Sequence, residues 1–209
     1  PEAFVLPAES HNRIKRLTFY VLEQAARSVR PLLTTNPDFR LSVNMSASLL
    51  EQPQLPAHIA QVLIATGFPA ANLTLEVTES APFSEHNIVA TNLSGISAIG
   101  IDLSIDDYGT GNATLEYLRS VPCQEIKIDR RFVGGLVTNA SDMLLVESTI
   151  ELAHGLGRRV IAEGIEDPET LEMLRAIGCD MAQGYYLAKP MALDGLEALL
   201  DTDTQPKAA

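Results

Sequence analysis

The sequence is short of cysteine and histidine, and both shortages exclude classes of site. Its two cysteines, Cys123 and Cys179, form no C-x-x-C pair, which argues against a disulfide framework and against a zinc ribbon. We expect two buried thiols in a cytoplasmic chain. The histidines fall in predicted helices or loops, so we expect structural or surface roles for them and disfavour zinc. They are His11, His58, His86 and His154.

Positive charge and long apolar runs are also scarce. The chain has 15 lysines and arginines against 27 acidic residues, for a net charge of −12, and such a chain repels duplex DNA and anionic membranes. No apolar run approaches ~18 residues and no signal peptide is recognisable, so we expect no membrane insertion of this segment. The stretch "GTGNAT" (109–114) lacks the third glycine of a dinucleotide-binding fingerprint. A small phosphate ligand is still possible if metal ions mask local carboxylates.

The chain alternates short β-branched runs with helical stretches. This rhythm predicts parallel β/α packing, either as an open doubly wound sheet or as a (β/α)8 barrel without its first strands. Because the chain opens on Pro1, we expect a fragment of a longer polypeptide, with one domain over 1–200 and a disordered tail over 201–209. The predicted strands are "RLSVNMS" (40–46), "LTLEVTE" (73–79), "IDLSIDD" (101–107), "EIKIDR" (125–130), "RRVIAEG" (158–164) and "MAQGYYL" (181–187).

Polar residues that suit a metal or a phosphate stand at or just after the end of each predicted strand. In parallel β/α folds the carboxyl ends of the strands share the face that carries the active site, so we expect these side chains to meet. Oxygen ligands without histidine suit Mg²⁺ or Mn²⁺, and such cations beside a lysine suit phosphodiester hydrolysis. The residues are Asn44, Ser46, Glu76, Thr78, Glu79, Asp106, Asp107, Lys127, Asp129, Glu163, Glu166 and Gln183.

Each of these residues also has an ordinary structural interpretation. Asn44 could be a helix N-cap, and Glu79 could lie in a solvated helix start. Lys127 could be a surface lysine on a half-exposed strand, and the pair Asp106–Asp107 could belong to an ordinary strand-to-helix turn. The joint pattern over six separate strand ends favours a common site.

Six motifs occur together over essentially the whole chain: "VNMS" (43–46), "LEVTES" (75–80), "DDYGTG" (106–111), "KIDRRFV" (127–133), "AEGIE" (162–166) and "QGYYLAKP" (183–190). In order and spacing they resemble the EAL-domain phosphodiesterases of bacterial cyclic di-GMP signalling. The resemblance implies a (β/α)8 TIM-type barrel in which one strand runs antiparallel to the others. It also implies hydrolysis of one phosphodiester bond of cyclic di-GMP to the linear dinucleotide pGpG.

The resemblance further implies roles for the matching residues around two divalent cations, Mg²⁺ or Mn²⁺. Lys127 would hold or polarise the attacking water, and Glu163 is ambiguous between cation ligand and general base. The ligands would be Asn44, Glu76 and Asp106 for one cation, and Asp106, Asp107 and Glu163 for the other. The remaining roles would be catalytic support for Glu166, substrate binding for Ser46, Asp129 and Gln183, and loop anchoring for Glu79, Gly109 and Gly111.

The sequence departs from the family pattern in two places. The Glu-Ala-Leu segment that names the family is absent, and we expect it upstream of Pro1 together with one metal carboxylate and two strands. Asn112 stands where the family commonly has a tyrosine. In the family this loop couples the metal site to a dimer interface, so a homodimer is expected, with regulatory domains elsewhere in the parent polypeptide.

Three functions stay open from the sequence. The leading hypothesis is a metal-dependent cyclic di-GMP phosphodiesterase, because no metal carboxylate of the family is lost within these residues. The second is a non-catalytic cyclic di-GMP receptor that signals through a protein partner. The third is an unrelated metal-dependent barrel of the enolase or aldolase kind.

Overall fold

The computed structural model describes residues 13–79, 88–110 and 115–203. Gly111, Asn112, His11 and His86 lie outside these ranges. The strands are β1 (Leu41–Met45), β2 (Leu73–Thr78), β3 (Asp102–Tyr108), β4 (Glu125–Ile128), β5 (Arg159–Glu163) and β6 (Met181–Gln183). The α-helices are α1 (Ile14–Val29), α2 (Ala47–Leu50), α3 (Leu55–Thr66), α4 (Ile88–Ala98), α5 (Leu115–Ser120), α6 (Arg130–Val133), α7 (Ala140–Gly155), α8 (Pro168–Ala176) and α9 (Leu193–Asp203). Short 3-10 helices cover Arg30–Thr34 and Ala70–Asn72.

The strands form one sheet in which neighbours in sequence are also neighbours in space. The order is β1-β2-β3-β4-β5-β6, and each adjacent pair is parallel. A doubly wound sheet reverses its strand order at a switch point, so the consecutive order excludes that alternative and is typical of a barrel wall. The predicted parallel strands are therefore confirmed. The antiparallel strand that the resemblance implies is not among the described strands.

Side chains alternate between an apolar and a polar face along the sheet. On β2, Leu73, Leu75 and Val77 are fully buried in one cluster with residues of the surrounding helices, such as Ile59 of α3 and Leu93 of α4. Burial of each such side chain contributes about 2 kcal/mol. The residues between them on β2 are polar, because successive side chains of a strand point to opposite faces. The hydrophobic core thus lies between the sheet and the helices, and the other face is free for polar chemistry.

Ion pairs join the strands at the amino end of this polar face. The guanidinium of Arg159 donates to Asp102 at 3.1 Å and to Glu125 at 2.6 Å. Arg40, just before β1, also pairs with Asp102. Since Asp102, Glu125 and Arg159 are the first residues of β3, β4 and β5, these contacts tie the three strands together opposite the end where the candidate site lies.

Helix ends follow the signals in the sequence. Asp167 accepts a hydrogen bond from the backbone N–H of Thr170 at 2.8 Å and so caps α8, as its position before Pro168 predicts. Gly67 after α3 has a φ of 65°, a left-handed conformation that glycine adopts without strain.

The thiols and the described histidines have structural surroundings. Cys123 is buried, which raises the pKa of its thiol to about 11, and Cys179 is partly buried. The ring of His58 packs edge-on against Phe19, and His154 is hydrogen-bonded to Asp180 at 2.8 Å. Within the described ranges, none of the helices combines the length and the apolarity needed to cross a bilayer.

Candidate active site

Lys127 of β4 stands at the centre of a ring of carboxylates at the carboxyl end of the sheet. Its Nζ lies 3.0 Å from Oε2 of Glu76, 3.1 Å from Oδ1 of Asp106 and 2.6 Å from Oε1 of Glu163. Only 4% of its side chain is exposed. The surface-lysine interpretation is therefore wrong. The reason is tertiary, since β2, β3 and β5 each bring a carboxylate to the inward side of β4.

The charge state of Lys127 follows from these contacts. Burial alone would lower the pKa of its ammonium and is the largest single influence, but the carboxylates of Glu76, Glu163 and Asp106 together outweigh it. The pKa of Lys127 is consequently raised above the usual value for lysine. In this arrangement the group is an ammonium that donates hydrogen bonds, and it does not accept a proton.

A β-bulge explains how two adjacent aspartates serve the same face. Neighbouring side chains of a regular strand point to opposite faces. From Ile105 to Tyr108, however, β3 advances by three residues, while the paired segment of β4, from Ile126 to Ile128, advances by two. Asp107, in this segment, has a left-handed φ of 57°. Aspartate tolerates this conformation better than most residues. One carboxylate oxygen of each aspartate can therefore lie within 4.8 Å of the other and of an oxygen of Glu163.

The crowding of carboxylates changes their proton affinities. Burial, followed by the negative charges of Asp106, Asp129 and Glu163, raises the pKa of Asp107. Burial also raises the pKa of Glu163, and the contact with Lys127 only partly offsets this effect. A positive charge placed among these groups would relieve both effects.

Asn44 joins this rim from β1. It is in register with Glu76 on the adjacent parallel strand, so the two side chains lie on the same face of the sheet. Asn44 lies within β1 and two residues before Ser46, and Ser46 is the residue that stands at the N-cap position of α2. The Ser46 hydroxyl lies 3.0 Å from that of Ser48.

Glu79 holds the segment that follows the aspartate pair. It is 6% exposed, so it does not lie in a solvated helix start. Its Oε2 accepts a hydrogen bond from the backbone N–H of Gly109 at 2.9 Å, and its own N–H donates to the carbonyl of Asp106 at 3.1 Å. Gly109 has a φ of 96°, and a Cβ there would lie 2.9 Å from the ring of Phe132. The sequence-predicted anchor is thus in contact with the loop, while Gly111 lies outside the described residues.

Asp129 follows β4 and caps α6. Its Oδ1 accepts hydrogen bonds from the backbone N–H of Arg131 at 2.8 Å and from the Nε of the same residue at 2.9 Å. Although burial acts in the opposite direction, these contacts lower the pKa of Asp129. The carboxylate also lies beside that of Asp107, so it extends the acidic cluster towards α6.

A cavity of about 550 Å³ opens beside the cluster. Glu163, Glu166 and Gln183 line it, and Gln183 of β6 is in register with Glu163 of β5. Glu166 is exposed and takes no part in the ion pairs of Lys127. Its place is in the cavity wall and not among the clustered carboxylates.

The donor set fits hard divalent cations. Glu76, Asp106, Asp107 and Glu163 supply four carboxylates, and Lys127 supplies one positive charge, which leaves about three negative charges in a partly buried volume. Such an excess is costly unless cations compensate it. Carboxylate and amide oxygens in this number suit Mg²⁺ or Mn²⁺ better than zinc.

Sequence reasoning missed two groups of residues. The first group comprises Asp102, Glu125 and Arg159, the charged residues that open β3, β4 and β5. Their opposite charges are visible in the sequence and could have indicated ion pairs between neighbouring strands. Arg130 and Lys189 line the cavity and were read only as parts of motifs. Gly164 packs directly against Arg130. This contact joins segments that are distant in the sequence, so the sequence alone does not indicate it.

Comparison with known proteins agrees with this geometry. The sequence profile described as EAL domain matches residues 1–190. The cyclic di-GMP phosphodiesterase NbdA of Pseudomonas aeruginosa is 36% identical over 201 residues, which are 96% of this chain and 26% of that protein. This chain therefore spans about a quarter of the length of that curated relative.

Solved structures give the same result for the fold. The PaMucR phosphodiesterase in complex with c-di-GMP matches with a TM-score of 0.88 and 33% identity, over 94% of this chain and 80% of that one. The EAL enzyme Bd1971, in a form with cAMP and cyclic di-GMP bound, matches with a TM-score of 0.90 and 29% identity, over 96% and 55% of the two chains. The fold is thus a TIM-type barrel of the EAL kind, of which the described strands form a part.

Proposed function

The chain belongs to the EAL domain family, and from this premise we propose that it hydrolyses one phosphodiester bond of cyclic di-GMP to give pGpG. The observation that carries the proposal is the ring of Glu76, Asp106 and Glu163 around Lys127, with Asp107 added by the bulge. Such a constellation suits divalent cations, which when bound would stabilise a phosphate during hydrolysis. The relative NbdA is named as a cyclic di-GMP phosphodiesterase.

The family resemblance implies the sets of cation ligands, and the closeness of carboxylate oxygens of Asp106, Asp107 and Glu163 supports one of them. Asn44, Glu76 and Asp106 would hold one Mg²⁺ or Mn²⁺, and Asp106, Asp107 and Glu163 would hold a second. When bound, these ions would neutralise the phosphate and acidify a water molecule. Asp106 is suited to both sets because it shares the contact with Lys127 with Glu76 and also clusters with Asp107 and Glu163.

The chain's own residues would direct the remaining chemistry. The Lys127 ammonium would donate a hydrogen bond to the attacking water and hold it in line. Water would add its oxygen to phosphorus while the bond from phosphorus to the ribose 3′-oxygen breaks, and that oxygen would take up a proton. Glu163, whose carboxylate lies 2.6 Å from Lys127, is the candidate acceptor for the proton of the water. Glu166, Gln183, Ser46 and Asp129 would support the site and the substrate.

The test is chromatographic detection of pGpG from cyclic di-GMP with Mg²⁺ or Mn²⁺, using the natural full-length protein. We expect turnover by the wild type and a loss of at least about 100-fold in Asp107→Asn. Asparagine tolerates the left-handed backbone of Asp107, so the change removes charge with little strain. The control is Glu172→Gln, which removes an exposed carboxylate of α8 and should leave turnover unchanged.

Two results would contradict the proposal. The first is an absence of turnover in the wild type, and the second is equal turnover in the wild type and Asp107→Asn. Calorimetry with cyclic di-GMP separates the receptor alternative, because binding without hydrolysis in metal-containing buffer would indicate a receptor.

The proposal also includes a cytoplasmic homodimer with regulatory domains outside these residues. The regulatory domains are supported by the chain's 26% share of NbdA, which leaves most of that protein for other domains, and the dimer and the cytoplasmic location are what the family resemblance implies. Sedimentation of the natural full-length protein tests the dimer, and a monomer at the concentration used for turnover would contradict it.

A further inference from the structure

The helices α1 and α3 form a basic and apolar face on an otherwise acidic protein. Residues 13–30 contain five of the 15 lysines and arginines but only one of the 27 acidic residues. The helix α3 has neither acidic residues nor lysine or arginine. In the part of the chain that the structure describes, only Arg27 among these five cations has an ion pair, with Glu23 at 2.7 Å. Most of the positive charge on this face is therefore not neutralised by the described carboxylates.

A groove of about 270 Å³ runs between the two helices. Its apolar lining comes from Phe19 of α1 and from Val62 and Ala65 of α3, while Lys15 and Glu23 stand in its polar wall. Residues four apart lie on one side of a helix, so the spacing of positions 15, 19 and 23 shows that the groove follows the axis of α1. Over these positions it extends about 12 Å, which is roughly two turns of a helix lying in it.

Large apolar side chains stand exposed beside this groove. Ile64, next to Ala65 on α3, is 81% exposed, and Tyr20, next to Phe19 on α1, is 61% exposed. A partner that covered them would gain about 25 cal/mol per Å² of apolar surface removed from water. Exposed apolar surface that is continuous with an apolar groove and rimmed by charge is typical of an interaction site.

The charges of this face select an acidic occupant. A second copy of the chain would bring the same cations opposite one another, and like charges repel across an interface. An anionic membrane would attract this face but repel the rest of a chain whose net charge is −12. An amphipathic helix with apolar residues on one side and carboxylates beside them matches the groove, the exposed side chains and the cations together.

We propose that the α1–α3 face binds an acidic amphipathic helix from a part of the natural polypeptide that lies outside these 209 residues. The source is argued from length, because this chain spans only 26% of NbdA. The inference rests on the part of the proposed function that places regulatory domains outside these residues. A helix in the same polypeptide binds at a raised effective concentration, so exposed charges that are individually weak suffice.

The test places the photo-crosslinking amino acid p-benzoylphenylalanine at position 64 of the natural full-length protein. After irradiation and proteolysis, mass spectrometry identifies the peptide attached to it. We expect a segment from outside these residues in which apolar positions recur at helical spacing between carboxylates. The control carries the same probe at position 144, because Leu144 of α7 is also exposed, at 65%, and it should not capture that segment.

Charge reversal tests the electrostatic part of the proposal. Arg13→Glu combined with Arg16→Glu, at the start of α1, should lower the crosslink yield at position 64 at least about fivefold. The matched control combines Arg119→Glu with Arg175→Glu, which reverses two exposed cations on α5 and α8 and should leave the yield within about twofold. The wild-type yield should also fall as the salt concentration rises, because salt screens exposed charges.

Several outcomes would overturn the inference. They are capture of a second copy, of residues 1–12, of a lipid or of a different protein at position 64, no capture at all, and a yield that the double reversal leaves unchanged. Turnover of cyclic di-GMP by the same protein keeps the two proposals apart. Turnover without capture overturns only the docking inference, and capture without turnover supports the docking face while the proposed hydrolysis fails.

Discussion

Lys127→Met would remove the ammonium that lies among Glu76, Asp106 and Glu163 and keep a side chain of similar length. Each contact, at 2.6 to 3.1 Å, corresponds to about 5–6 kcal/mol of attraction at an effective dielectric constant of about 20. Most of this attraction offsets the cost of taking the ammonium out of water. Removal of one partner from such a buried group typically costs about 3–5 kcal/mol. For a chain of this size we expect the melting temperature to fall by about 10 °C in the presence of a chelator.

The loss of stability in Lys127→Met should depend on pH in a defined direction. Without Lys127, Glu163 loses the contact that partly offsets its burial, so its carboxyl group binds a proton more strongly in the folded variant than in the unfolded chain. A folded state that binds more protons loses stability as the pH rises, by about 1.4 kcal/mol per pH unit for each proton. The difference between variant and wild type should therefore be large at about pH 8 and shrink towards about pH 5.

Thermal unfolding in chelator across this pH range is the assay, with Lys15→Met as the control for loss of an exposed lysine on α1. Added Mn²⁺ should raise the melting temperature of Lys127→Met more than that of the wild type, because the cation replaces the missing charge and meets no competing ammonium. If the melting temperature of Lys127→Met fell no more than that of the control, or fell by the same amount at every pH, the argument from the buried ion pairs would be refuted.

Three further substitutions test other parts of the structure. Gly184→Ala should destabilise the protein by about 3 kcal/mol, since the added Cβ would lie 2.1 Å from a backbone oxygen. Gly155→Ala is the control and should not destabilise the protein, because no atom lies within 4 Å of its Cβ. Equal unfolding free energies of the two variants in chemical denaturation would contradict this. Glu79→Ala should speed amide exchange at Gly109 roughly tenfold by removing its acceptor, and unchanged exchange would contradict the anchor. Burial raises the pKa of Asp180, but hydrogen bonds from a histidine and a backbone N–H outweigh burial and lower it. The stabilisation that Asp180 provides is therefore present above the ordinary aspartate pKa and is lost as the pH falls through the lowered value. Asp180→Asn should therefore be less stable than the wild type near neutral pH and equal to it in strong acid, and parallel pH profiles of the unfolding free energy would argue against this role.

Much of the fold follows from local signals. A period of two in apolar residues predicts strands such as β2, and glycine in a left-handed conformation ends helices such as α3 at Gly67. These signals need only neighbouring residues, so the sequence displays them directly. The polar residues at the strand ends were also predictable, because the direction of a parallel strand decides which of its ends carries the site.

The order of the strands required the tertiary structure. The alternation of strands and helices suits both a doubly wound sheet and a barrel, and only the pairing of each strand with the next one in sequence separates them. Pairing depends on contacts between residues that are distant along the chain, and these have no local signature.

The sequence alone predicts which residue types reach the candidate site, namely carboxylates, one lysine and two amides at the ends of six strands. The interactions among those groups depend on the tertiary structure. Lys127 is buried because three other strand segments bring carboxylates to it. Asp106 and Asp107 share a face because β3 has one more residue than β4 between their paired positions, which makes a bulge. The physical reason is that charge, burial and strand register are properties of pairs of segments, and the periodicity of one segment does not contain them.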